Sequence, residues 1–183
     1  MPSQQLAIPV SLRDAARAQL AFHSDFPKPG IVFCDVLPLF RAPQLCSEVL
    51  SAVAAALSSR FPGLAFIAGL ESRGFLLLPL ALSLGLPFVA LRKAGKLPGR
   101  TVRQDYALEY GTATLEAAEG CVAAGARGLV VDDLLATGGS AAAAKALLER
   151  LGATVAGVFV LVELSGLGGA ARAGAPVASL FCL

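Results

Sequence analysis

Tryptophan is absent from this chain, tyrosine occurs only twice, and the formal net charge is +2. Without a basic footprint or a set of stacking aromatics, a nucleic-acid partner is not expected, and a small charged metabolite fits better. Four cysteines, Cys34, Cys46, Cys121 and Cys182, are scattered with no C-x-x-C pair. That spacing argues against a zinc site or a disulfide framework and suits a reducing cytoplasmic setting. His23 is the only histidine, so a Ser-His-Asp triad would have to run through it; a surface role at a helix end is expected instead. Residues 1–10 carry no basic segment of the kind that opens a secretory signal. Gly74–Leu91 is uncharged and long enough to raise the question of a membrane span. Pro79, Gly85 and Pro87 interrupt it, and it divides into a helix over 74–84, a turn, and a strand over 88–91, so no membrane partner is expected. Neither G-x-x-x-x-G-K-[ST] nor a post-strand G-x-G-x-x-G is present.

What is present is apolar. Hydrophobic residues make up 56% of the 183 without counting glycine, against about 45–50% with glycine in an average domain. One domain with much buried surface is expected, and a homo-oligomer with it. Ser11 with Asp14 reads as a capping box opening a helix that runs to about Phe22, followed by the turn-rich FPKPG of 26–30 and the extended IVFCDVLPLF. Residues 43–60 read as helix. Strands are expected over 64–69, 88–91, 112–115, 129–132 and 155–162. Alternating strands and helices with short connections define an α/β fold with a mostly parallel sheet flanked by helices. Segment 92–111, RKAGKLPGRTVRQDYALEYG, breaks the alternation with a long polar, turn-rich stretch and reads as a functional lid loop.

The sharpest feature is LVVDDLLATGGS, residues 129–140. Leu129–Val131 read as a buried parallel strand, which puts Asp132 and Asp133 at its carboxyl end, where open α/β sheets hold ligands. Ala136–Ser140 lead into an Ala/Leu-rich helix whose first N–H groups lack intrahelical partners and can take an anion. Gly138 and Gly139 allow close backbone approach to phosphate oxygens, and the Thr137 and Ser140 hydroxyls add donors. Two acids beside a phosphate would repel it, so they must address hydroxyls or a bridging divalent cation. A phosphorylated ribose supplies both. A merely well-capped strand-to-helix junction would use similar residues, so this segment alone leaves the two readings even.

The rest of the chain separates them. FPKPGIVFCDVLPLF, AGLESRGF, RKAGKLPG, LEYG and VELSGLGG, in this order with the acid-pair segment, resemble the adenine phosphoribosyltransferases of the type I phosphoribosyltransferase class over residues 25–167. The resemblance implies the type I fold with a small N-terminal hood over about residues 1–40 and a flexible lid over about 92–111. It implies transfer of a phosphoribosyl group from 5-phosphoribosyl 1-pyrophosphate to adenine, with Mg²⁺ bound mainly through the substrate rather than by protein ligands, in a cytoplasmic homodimer. By the same resemblance Asp132 and Asp133 hold the ribose hydroxyls, Ala136, Thr137, Gly138, Gly139 and Ser140 cradle the 5-phosphate, and Arg73, Arg92, Lys93 and Lys96 serve the pyrophosphate. Glu109 is the candidate proton-transfer group, and Tyr106 and Tyr110 beside it could seal the closed site. Phe33 would stack on adenine, the main chain of Val32 and Cys34 would read its edge, and Leu164 would pack the opposite face.

Two departures stand out. Cys34 occupies a position where the family typically has Arg, and Leu77 and Leu78 replace a Phe-Gly pair. Two other readings use the same signature: a non-catalytic sensor of the phosphoribosyl donor, which the presence of Glu109 and Lys96 disfavours, and transfer to another base, which the 26–35 segment disfavours.

Overall fold

A computed structural model describes residues 3–107 and 111–183 of the chain. In order the elements are β1 (Gln4–Gln5), α1 (Val10–Arg17), β2 (Ala21–Ser24), β3 (Val32–Asp35), α2 (Leu37–Phe40), α3 (Pro43–Arg60), β4 (Phe66–Leu70), α4 (Leu78–Leu84) and β5 (Phe88–Lys93). They continue with β6 (Thr101–Ala107), β7 (Thr112–Ala118), β8 (Arg127–Leu135), α5 (Gly139–Arg150), β9 (Thr154–Glu163), α6 (Gly169–Arg172) and β10 (Val177–Cys182). Eight strands form one sheet in the order β1-β10-β9-β8-β4-β5-β7-β6, and β2 and β3 form a separate two-stranded ribbon. Every pairing from β1 through β5 is parallel; β5-β7 and β7-β6 are antiparallel.

The sheet has a core on each face. Leu129 and Val131 of β8 join the cluster that includes Val49, Leu50, Val53 and Leu57 of α3. Val130, between them, points into the other cluster with Ala143, Ala144, Leu147 and Leu148 of α5. Alternation of side chains across a pleated strand produces this division. All three strand residues are fully buried, and burial stabilises each by roughly 1.5–3 kcal/mol, so the acid pair that follows is carried on a strand anchored in both cores.

α3 forms over the expected 43–60, with Pro43 at its first position and buried residues at helical spacing from Cys46 to Leu57. The first helix is shorter than expected. It starts after Pro9 with no side-chain cap, so the Ser11–Asp14 capping box does not form, and it ends at Arg17. Residues 21–24 instead pair antiparallel with 32–35, which gives their backbone partners that a helix end would leave to water. Gly74–Leu91 divides as its prolines and glycine require, although its helical part is a 3₁₀ turn over Arg73–Leu77 followed by α4, with Pro79 in the first turn of α4. No helix among the described residues is long and apolar enough to cross a membrane.

The described part of segment 92–111 is not the irregular loop its composition suggests. After the turn at 94–100 it forms β6, which pairs with β7 residue by residue from Thr101↔Ala118 to Ala107↔Thr112. As the sheet's edge, β6 can carry Arg103 and Asp105 to solvent while its ladder with β7 pairs the backbone on its inner side.

Candidate active site

β8 continues through Leu135, so Asp132 and Asp133 lie within the strand and not after it. Their carboxyl groups interact with each other while holding different further contacts. Asp133, 3% exposed, meets Arg73, whose Nη1 lies 2.9 Å from its Oδ2. Asp132 sits where the 3₁₀ turn touches β8: a Cβ on Gly74 would fall 2.6 Å from the Val131 carbonyl oxygen and 3.3 Å from Asp132 Oδ1. Only glycine lets the two backbones approach this closely at position 74. The Asp133 N–H donates to Asp132 Oδ1 at 3.0 Å, which ties the pair together.

Burial pushes the Asp132 carboxyl well above the usual carboxylate range, and the neighbouring charge of Asp133 pushes it further. Burial also raises Asp133, against the opposing pull of the Arg73 guanidinium. Two desolvated acids with one cation between them favour a ligand that donates hydroxyl hydrogens or brings positive charge. Hard carboxylate oxygens fit a divalent cation, yet no cluster of three ligating side chains that could hold one is formed among the described residues.

Beyond Leu135 the chain turns through Ala136 and Thr137 to Gly138, the N-cap of α5, at φ +77°. No side chain caps this helix and no acid occupies its first turn, so its leading N–H groups face outward with their dipoles aligned. They open on a cavity of about 600 Å³ lined by Ala136–Ser140 together with Tyr106, Ala107, Leu134, Leu167 and Arg172. All five residues expected to cradle a phosphate are therefore gathered at one uncapped helix N-terminus.

The basic residues are ordered by two acids that sequence reasoning missed. Glu71 accepts from Arg92 Nε at 3.1 Å and from the Lys93 N–H at 3.0 Å, and Arg92 Nη1 donates to the Lys96 carbonyl at 3.0 Å. Glu116 of β7 is covered completely and accepts from the N–H groups of Lys96 and Leu97 at 2.8 and 2.9 Å, with Thr101 and Arg103 also on it. Burial pushes the Glu116 pKa upward, but the N–H donors of the 95–97 turn and the charge of Arg103 together hold it at about 2. A glutamate in an alternating strand carries no signal of this in the sequence, because its partners come from a turn about 20 residues earlier.

Phe33 lines a second cavity of about 490 Å³ with His23, Ser24, Asp25, Phe26 and Asp35. Phe26 meets its ring edge-on at 5.1 Å, and the Arg73 guanidinium lies 5.3 Å from its centroid. His23 is thus a ribbon residue paired with Phe33 and not a helix-end residue. Val32 is exposed and Leu164 half-buried against the core; neither lines this cavity. The Cys34 thiol is buried in the core behind the ribbon, where burial and then the charges of Asp35 and Asp133 raise its pKa. Leu77 is fully buried while Leu78 is 40% exposed, so only the first of these departures changes core packing. Glu109 and Tyr110 lie outside the described residues.

A mostly parallel sheet, an acid pair on a central strand and an uncapped helix opening after it define the type I phosphoribosyltransferase class. No family model matches the chain. Individual proteins do: it is 51% identical over 157 residues to the adenine phosphoribosyltransferase of Rhodospirillum rubrum, covering 85% of this chain and 91% of that one. It is 49% identical over 182 residues to that of Kineococcus radiotolerans, covering 97% of each. The Saccharomyces cerevisiae adenine phosphoribosyltransferase, solved with an imino-altritol bisphosphate and adenine, superposes with a TM-score of 0.90 at 42% identity over 94% of this chain and 99% of that one. The chain belongs to the adenine phosphoribosyltransferase family.

Proposed function

We infer that this protein transfers the 5-phosphoribosyl group of 5-phosphoribosyl 1-pyrophosphate to adenine, forming AMP and releasing pyrophosphate. The observation that carries the reading is the pairing of two adjacent acids, Asp133 buried and Asp132 half-buried, with an uncapped, glycine-entered helix N-terminus on the same strand-turn-helix unit. The acids suit the ribose hydroxyls and the positive charge that grows on the ring as the C1–O bond breaks; the helix end suits the 5-phosphate, which anchors the sugar. The new bond runs from an adenine ring nitrogen to C1, the C1–O electron pair leaves with pyrophosphate, and the adenine proton passes to Glu109. Arg73, Arg92, Lys93 and Lys96 stabilise the leaving group, and Tyr106 and Tyr110 shield the site from water. Phe33 stacks on the base, with the main chain of Val32 and Cys34 at its edge and Leu164 on its other face.

Bound Mg²⁺ would supply charge neutralisation of the pyrophosphate; it would be held mainly through the substrate, with Asp132 and Asp133 as the protein groups able to support it from the ribose side. The hood of about residues 1–40, including the β2-β3 ribbon, covers the base, and residues 92–111 close over the donor within one domain. The enzyme works as a cytoplasmic homodimer, a reading supported by the exposed apolar side chains Leu78 and Leu82 on α4.

Purified protein given Mg²⁺, the donor and adenine should form AMP, with hypoxanthine and guanine giving little. Folded protein that forms no AMP would overturn the enzymatic reading. Light scattering on an eluting peak checks the dimer.

A further inference from the structure

Arg172 lines the cavity at the N-terminus of α5, and no carboxylate among the described residues pairs with it. α6, which ends in this residue, is fixed against the phosphate turn by direct backbone contact at two glycines. A Cβ on Gly138 would lie 2.3 Å from the Gly169 carbonyl oxygen, and one on Gly169 would lie 2.2 Å from the Ala136 carbonyl oxygen. The turn and the start of α6 therefore interlock without intervening side chains, and the position of one sets the position of the other. At the far end of α6, the Arg172 guanidinium carbon lies 3.6 Å from the Cβ position of Gly139, the first residue of α5. The guanidinium lines the same cavity as Thr137–Ser140.

This is an electrostatically odd place for a cation. The N-terminus of α5 already carries the positive end of the helix dipole, and no acid in its first turn offsets it. Arg73, Arg92, Arg100 and Arg103 each pair with a carboxylate, whereas Arg172 has no hydrogen bond or ion pair among the described residues. Positive charge added to a positive helix end becomes favourable when a dianion sits between them. A planar guanidinium then donates to phosphate oxygens that the backbone N–H groups leave unpaired.

We propose that Arg172 is a binding residue for the 5-phosphate, closing the backbone cradle from the α6 side and selecting phosphorylated over unphosphorylated ribosyl ligands. The proposal deepens the reading of this cavity as the phosphate subsite and rests on it. Because α6 is held by its glycine contacts and Arg172 is exposed, Arg172→Gln should leave the fold intact.

Titration calorimetry with ribose 5-phosphate, AMP and adenosine tests it. Arg172→Gln should weaken ribose 5-phosphate and AMP by about tenfold or more while adenosine binding stays unchanged, the loss expected for a charged hydrogen bond. Arg172→Lys, which keeps the charge but not the fork, should fall between wild type and Arg172→Gln, and it carries the test if the glutamine variant does not fold. In turnover, the KM for the donor should rise more than kcat falls. Unchanged ribose 5-phosphate affinity in the folded variant, or an equal loss for adenosine, overturns the proposal. A wild-type protein that binds ribose 5-phosphate but forms no AMP would sink the adenine reading and leave the Arg172 assignment to be decided by the same titration.

Discussion

Arg73 and Asp133 form a 2.9 Å ion pair in which the carboxylate is almost entirely buried and the guanidinium is 36% exposed, leaning toward the Phe33 ring. One side chain thereby links the ribose end of the site to the base end. Removing the guanidinium strands a buried carboxylate. Arg73→Met should cost on the order of 1–2 kcal/mol of stability at neutral pH, the exposed half of the pair being screened by solvent, and should lower turnover by more than tenfold. Adding Asp133→Asn should restore most of the stability and none of the activity. Denaturant melts of the single and double variants measure this, and equal losses in both would contradict it.

No described residue forms an ion pair with Asp132, and both acids have pKa values raised in the folded state. The folded state therefore binds protons more readily than the unfolded chain. This contribution to stability is fully present below the ordinary aspartate pKa and is lost as the pH rises through the raised values. Asp132→Asn should raise the melting temperature at pH 7 and flatten this part of the pH profile while abolishing turnover. A lowered melting temperature would show that the carboxylate charge is not a burden on the fold.

Glu116 has the opposite sign. Its folded pKa of about 2 lies below the ordinary glutamate value of 4.5, so its contribution is present above the unfolded value and is lost as the pH falls from there toward 2. Glu116→Gln should weaken the 94–100 turn and raise the KM for the donor severalfold through misplacement of Lys96, with little effect on the KM for adenine. Equal changes in both constants would point to general loosening instead.

Gly138→Ala places a methyl group 2.3 Å from the Gly169 carbonyl oxygen at a backbone φ of +77°. Strain of about 1 kcal/mol or more is expected from the conformation alone, and the displaced turn should weaken ribose 5-phosphate binding by at least about tenfold. Calorimetry reports it directly.

Cys34→Ala removes a buried sulfur that lines no cavity of the site. A stability loss of roughly 1 kcal/mol with the KM for adenine nearly unchanged is expected from the small void. A large rise in that KM would show that the side chain at this position matters to the base site after all.

What the linear order of residues determined was the strand-turn-helix unit around Asp132, Asp133 and Ala136–Ser140. A buried apolar run, an acid pair and a glycine turn are local patterns whose chemistry needs no distant partner. α3 and the alternation behind the parallel sheet were legible for the same reason. Tertiary structure decided the rest. β6 is a strand because β7 supplies its hydrogen bonds, although its own polar sequence suggests a loop. His23 faces the Phe33 cavity because β2 pairs with β3. Glu71, Glu116 and Arg172 reach the site from separate elements, and no spacing in the sequence records that approach. Local pattern sets what a segment can do chemically; which charges meet is set by long-range packing, where pairing, burial and close backbone approach are decided together.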